Sequence, residues 1–207
     1  MNQQQDQLEA LHEIRNIMDR SSRFISLSGL SGVFAGLSAL VGAAVVKWYF
    51  SLQNINYYSD QTSNFSREDI LFLLAVAAGV LVLAFSTATY FTARNARKKN
   101  QRTWDNQSKR LLVNLAIPLA TGGVFCAILF YHGILYLVAP AMLIFYGLAL
   151  LNGSKYTLGD IRYLGIIEII LGLVACVFVG YGLMLWTVGF GMLHIVYGAL
   201  VYFKYER

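Results

Sequence analysis

The chain has 207 residues, a formal net charge of +5, 57% hydrophobic residues and only 13% charged ones. Soluble domains carry roughly 25% charged residues, so this composition excludes a water-soluble globular fold of this size. The two cysteines, Cys126 and Cys176, both fall in apolar runs and imply no disulfide framework.

Residues 1–23 form the first predicted element, a cytoplasmic amphipathic helix. Leu8, Leu11, Ile14 and Met18 share one face between Gln5 and Asp19, with Glu9, Glu13 and Arg15 elsewhere. Its mixed acids and bases suit an anionic membrane poorly. Two readings stand: a helix that pairs with itself or a protein partner through residues 1–20, or a solvated lead-in to the first span. The first twenty residues hold no cleavable signal pattern, so the first span is expected to double as the targeting signal.

Six apolar runs follow, at 24–50, 70–91, 111–131, 134–151, 161–179 and 183–203. Each is near the roughly 20 residues a helix needs to cross the hydrocarbon core, and only helices satisfy every backbone group within such runs. The expected fold is an all-α membrane protein with six transmembrane helices over 24–203 and a short cytoplasmic tail at 204–207. Ser66-Arg67-Glu68-Asp69 and Thr157-Leu158-Gly159-Asp160 read as capping boxes that open spans two and five. Aromatics such as Trp48, Tyr49, Tyr90, Phe91, Tyr202 and Phe203 crowd the span ends.

The first span carries two small-residue ladders, Ser28-Gly32-Gly36 and Ser31-Ala35-Ala39-Ala43. Small residues let helix backbones approach closely in lipid, which fits either a central helix or a homodimer face. Pro118 cannot bond the carbonyl of Asn114, and Pro140 cannot bond that of Tyr136. Asn114 is therefore expected to mark a kink with a free acceptor.

All 16 basic residues except Lys47 and Arg67 fall on one side of this topology. The positive-inside rule then places both termini in the cytoplasm. The connections Tyr131-His132-Gly133 and Gly180-Tyr181-Gly182 are tight turns, which make the last four spans two helical hairpins. Gly122, Cys126 and Tyr131 fall on Gly172, Cys176 and Tyr181 at a 50-residue shift, and Tyr146-Gly147 on Tyr197-Gly198 at 51. Such matches suggest a repeat.

Polar residues inside the spans carry the chemistry. Glu168 lies about 10 Å from the cytoplasmic end of span five, and His194 about 13 Å from that of span six, at the helical rise per residue. Because the two spans form one hairpin, the pair sits at similar depth. Asn114, Tyr197, Ser28 and Ser31 share that half of the membrane. A charge near a helix centre costs roughly 3 kcal/mol on insertion scales. Glu168 and His194 are thus either a proton-linked or ligand-binding site, or a buried hydrogen bond that locks the hairpin. Lys47, near the outer end, is expected to snorkel.

Gly29-Leu30-Ser31-Gly32 resembles the GxSG motif of rhomboid intramembrane proteases, which place a catalytic histidine in their sixth span, as His194 is here. The likeness covers those four residues and one histidine. The rhomboid serine stands in the fourth span and its site opens outward, whereas Ser31 is in the first span near the cytoplasm. His12, His132 and His194 are too dispersed for a bis-histidine haem. No metal-ligand spacing or phosphate loop is present, so no cofactor is expected. The basic stretch holding Arg94, Arg97, Lys98, Lys99, Arg102, Lys109 and Arg110 sets topology and attracts anionic lipid headgroups; nucleic acid is not expected.

Arg110-Leu-Leu-Val-Asn-Leu-Ala-Ile-Pro118-Leu-Ala-Thr-Gly-Gly123, Lys155-Tyr-Thr-Leu-Gly-Asp-Ile-Arg-Tyr163 and Ser26-Leu-Ser-Gly-Leu-Ser-Gly-Val-Phe34 resemble a family of small six-span bacterial inner-membrane proteins. That resemblance implies a bacterial source and adds no activity. The leading expectation is a non-enzymatic membrane scaffold or accessory protein. The alternative is a small-solute or proton-coupled transporter using Glu168 and His194, and the third reading is an intramembrane enzyme.

Overall fold

The computed structural model describes residues 11, 14, 28–54, 65–98 and 106–207. Among them the chain is helical, with no strand. Helix α1 is Gly29–Leu52, α2 Arg67–Lys98, α3 Asn106–Tyr131, α4 Val138–Gly153 and α5 Ile161–Val177. The last rod comprises α6 Gly182–Trp186, a π-helical stretch Thr187–Leu193 and α7 His194–Tyr205. Among the described residues five helical stretches are long and apolar enough to cross a membrane: α1, α2, α3, Leu135–Gly153 with α4, and Val179–Tyr205 with α6 and α7; the α5 stretch, at 17 residues, is shorter. Of the amphipathic helix expected at 1–23, Leu11 and Ile14 are helical and exposed; the rest lies outside the described residues.

Neighbouring helices run antiparallel. On α1 and α2, Phe34 stacks on Phe91 with ring centroids 5.0 Å apart, and the Tyr49 hydroxyl donates to Asp69 at 2.7 Å. Gly32 and Gly36 lie against Gly198 and Gly191, which joins α1 to the last rod. Gly147 lies against Gly165, and Gly172 against Pro140 and Ile144, which joins α4 to α5. Gly122 seats on Phe145, joining α3 to α4. In each seam the missing Cβ is what lets the backbones meet. The Ser28-Gly32-Gly36 ladder is therefore covered within the chain by the last rod.

Ser66 and Asp69 form the expected reciprocal box: the Asp69 amide donates to Ser66 Oγ at 3.1 Å, and the Ser66 amide to Asp69 Oδ2 at 2.8 Å. In the Thr157–Asp160 segment the acid has a different partner. Asp160 is the N-cap of α5 but makes no side-chain cap bond, because its carboxylate is taken by Lys204 at 2.7 Å and Tyr205 at 3.1 Å. A full charge outcompetes a backbone amide for that acceptor.

The prolines also divide. Pro118 stands inside α3, but the Asn114 carbonyl it leaves unpaired is not free: Asn152 Nδ2 on α4 donates to it at 3.0 Å. Pro140 lies in the first turn of α4, where its missing N–H has no partner to lose, so it does not kink a span. The turn after α3 closes with the Ile134 amide on the Leu129 carbonyl and the Gly133 amide on the Phe130 carbonyl. Gly133 has φ 71°, the left-handed conformation such a helix ending requires. The repeat suggested by sequence has no counterpart in packing. Gly122 seats on its own hairpin partner, whereas Gly172 faces the neighbouring hairpin.

Candidate functional site

Three helices build the buried polar site. Glu168 projects from α5 with no exposure, and His194 from the start of α7 with 6%. Their closest approach is 3.5 Å, from His194 Nδ1 to Glu168 Oε1. The third member is Tyr146 on α4, whose hydroxyl lies 2.7 Å from His194 Nε2.

Hydrogen-bond chemistry fixes the imidazole. Nδ1 lies 2.9 Å from the Gly189 carbonyl. A carbonyl only accepts, so Nδ1 carries the proton. In the neutral ring Nε2 is then the acceptor and Tyr146 the donor. The π-helical stretch makes the Gly189 bond reachable, because its i→i+5 pattern stacks residue 194 over residue 189. Phe190 supports the ring, stacking on His194 at 5.8 Å and lying tilted against Tyr146 at 4.8 Å.

Glu168 is left without a donor. With the Nδ1 proton committed to Gly189, neither carboxyl oxygen of Glu168 has a hydrogen-bond partner. Gly189 closes over it: a Cβ there would collide with Glu168 Oε2 and stand 2.6 Å from Leu143. Buried polar groups in folded proteins are overwhelmingly paired, and each exception calls for an explanation. Burying a net charge in an apolar interior is costly. A protonated Glu168 beside the neutral imidazole carries no net charge.

The other residues read from sequence do not join this group. Asn114 is half-buried, donates to the Arg110 carbonyl at 2.8 Å and accepts from Asn152. The Ser31 hydroxyl donates to the Ser28 carbonyl within the first turn of α1. Both His194 nitrogens are engaged elsewhere, so Ser31 and His194 do not form a nucleophile–base pair. The Tyr197 hydroxyl is buried and unpartnered, while its ring packs with Leu150, Ile161 and Leu164. No group of three His, Cys, Asp or Glu side chains converges among the described residues.

Sequence reading missed Tyr146, Asn152 and a clasp at the end of the chain. Glu206 accepts from the Gly29 amide and, at 3.2 Å, from the Ser28 hydroxyl. It thus places a carboxylate on the N-terminus of α1, where the helix dipole favours it. The hydrogen bond from Lys204 holds the Asp160 carboxyl below its ordinary value, against a smaller opposing effect of burial. Residues 204–207 are a tie between α1, α5 and α7 rather than a free tail. Arg94, Arg97, Lys98, Lys109 and Arg110 are exposed, at the end of α2 and the start of α3; Lys99 and Arg102 lie outside the described residues.

No family model, curated protein or solved structure matches the chain. The functional reading therefore rests on the site itself.

Proposed function

We propose that this chain is a six-span membrane protein that couples a proton held by Glu168 and His194 to the passage of a small solute. The observation that carries the reading is the fully buried Glu168 with two unpartnered oxygens, 3.5 Å from His194. A carboxyl used only as structural glue would be hydrogen-bonded. Ionisable groups inside spans mark proton and substrate pathways, and interrupted helices at mid-membrane are a recurring transporter device. The last rod is continuous, but π-helical stretches inside helices recur at functional sites, and one lies beside Glu168.

On this reading α5 is the sixth span. Its 17 residues reach about 25 Å, near the shorter limit for a crossing. Both termini lie in the cytoplasm, since the basic ends of α2, α3 and α7 share one end of the bundle. The setting is a bacterial inner membrane, with anionic headgroups at that basic face.

The scaffold reading is supported by a different observation. Two open grooves, between α5 and α7 and between α3 and α4, have linings that do not include Glu168. A scaffold needs no path to it, and would recruit a second copy or a protein partner through residues 1–20.

Labelling with a lipid-soluble carbodiimide, which modifies protonated carboxyls in hydrocarbon, tests the choice. The transporter reading expects one modified site at Glu168, protected by a transported solute and dependent on bulk pH. A Glu168 that stays unlabelled in the folded protein at every pH favours the scaffold.

A further inference from the structure

Helices α3 and α4 touch at two levels. Near the outer turn Gly122 seats on Phe145, and at the opposite end Gly153 meets Leu111 and Leu115. Between these contacts lies an open groove of about 490 Å³. Its floor is apolar, formed by Pro118, Phe145, Leu148 and Leu151, and one end carries Asn152 and Lys155.

That end is cationic. The Asn114 amide reaches back one turn to the Arg110 carbonyl, and the Asn114 carbonyl accepts from Asn152. Arg110 and Lys155 therefore both stand about one turn beyond the Asn114–Asn152 contact, at the same end of the α3–α4 pair, with Lys155 lining the groove itself. Both are exposed. The acid–base contacts among the described residues are Glu168–His194 and Asp160–Lys204, so neither cation meets an acid among them. Asn152 Nδ2 faces two oxygens of Asn114, at 3.0 and 3.2 Å, so the two cations are the donors offered at this end. An apolar slot with two cations at one end matches an acyl chain joined to a phosphate. Basic pockets between membrane helices take such headgroups.

We propose that this groove is the binding site for one anionic phospholipid, its acyl chain lying along Pro118, Phe145, Leu148 and Leu151 and its phosphate held between Arg110 and Lys155. The inference needs the chain to sit in a bilayer, but is independent of the role of Glu168. A lipid wedged here would brace the α3–α4 pair beside the Asn114–Asn152 bond.

Native mass spectrometry of the full-length protein, delipidated and titrated with phosphatidylglycerol or phosphatidylcholine of matched chains, reads the site. One phosphatidylglycerol should persist at activation that strips phosphatidylcholine. Lys155→Gln and Arg110→Gln should each lower its retention about fivefold, and Lys155→Arg should restore it. Leu148→Trp, which fills the slot, should weaken both lipids. Arg97→Gln, on the neighbouring basic end, should leave the retained lipid in place. Equal retention of the two lipids overturns the proposal. So does phosphatidylglycerol retention that survives Lys155→Gln and Arg110→Gln together, or that falls instead with Arg97→Gln.

Discussion

Placing a methyl group at Gly198 tests the packing account most sharply. A Cβ there would stand 2.5 Å from the Gly29 carbonyl oxygen and 2.6 Å from the Val33 amide nitrogen. Ordinary contact begins at 3.4 Å, so α1 and α7 must part by about 0.9 Å. The atoms met are backbone, which cannot rotate aside. Overpacking of this kind costs about 1–3 kcal/mol, and the upper half of that range applies because separation also draws the Gly29 amide away from Glu206. Gly198→Ala should therefore shift the folding equilibrium by roughly thirty- to 150-fold. The control is Gly79→Ala on α2, where a Cβ meets nothing within 4 Å and alanine favours the helix by about 0.5–1 kcal/mol. Reversible unfolding of the protein in bicelles by added sodium dodecyl sulfate measures both. A Gly198→Ala protein as stable as the parent, or more stable than Gly79→Ala, would refute the seam.

Further predictions follow from the polar contacts. Tyr146→Phe removes the donor to His194 Nε2 and leaves a buried acceptor unpaired, at about 1–3 kcal/mol; nitrogen NMR of labelled histidine should show the ring changing its hydrogen-bonded state. Asn152→Leu strips the donor from the Asn114 carbonyl opposite Pro118, and should cost about 1 kcal/mol with no change in Glu168 labelling. Asp160 is held below its ordinary carboxyl value of 3.8 by Lys204. An acid with a depressed folded value stabilises the fold above its unfolded value and loses that contribution as pH falls through the folded one. Thermal unfolding of wild type and Lys204→Met should thus differ at neutral pH and converge in acid; a gap independent of pH would remove the clasp from the account.

How much of this was legible beforehand follows from the physics of each element. Long apolar runs read as helices because lipid admits little else, and the described helices fall on them. The Ser66–Asp69 box was legible because both partners are local. The partner of Asp160 was not, since Lys204 lies 44 residues away. Glu168 and His194 could be brought to one depth by counting along a tight hairpin. Tyr146 could not be joined to them, because its rotation about α4 depends on the Gly147–Gly165 seam. The π-helical stretch was hidden as well. Gly189 and Gly191 look in sequence like any close-packing pair, whereas one closes over Glu168 and the other seats against Leu40. The weight of the functional reading shifted for the same reason: sequence favoured glue, but the unpartnered Glu168 oxygens are poor glue.

Proton movement in proteoliposomes is the direct test of that central claim. Protein reconstituted with a pH-sensitive dye inside is challenged with gradients of candidate solutes drawn from amino acids, organic acids and amines. The account predicts solute-driven proton flux in the wild type and its loss in Glu168→Gln, with the fold retained. Flux unchanged in Glu168→Gln, or no proton movement with any solute, would contradict it.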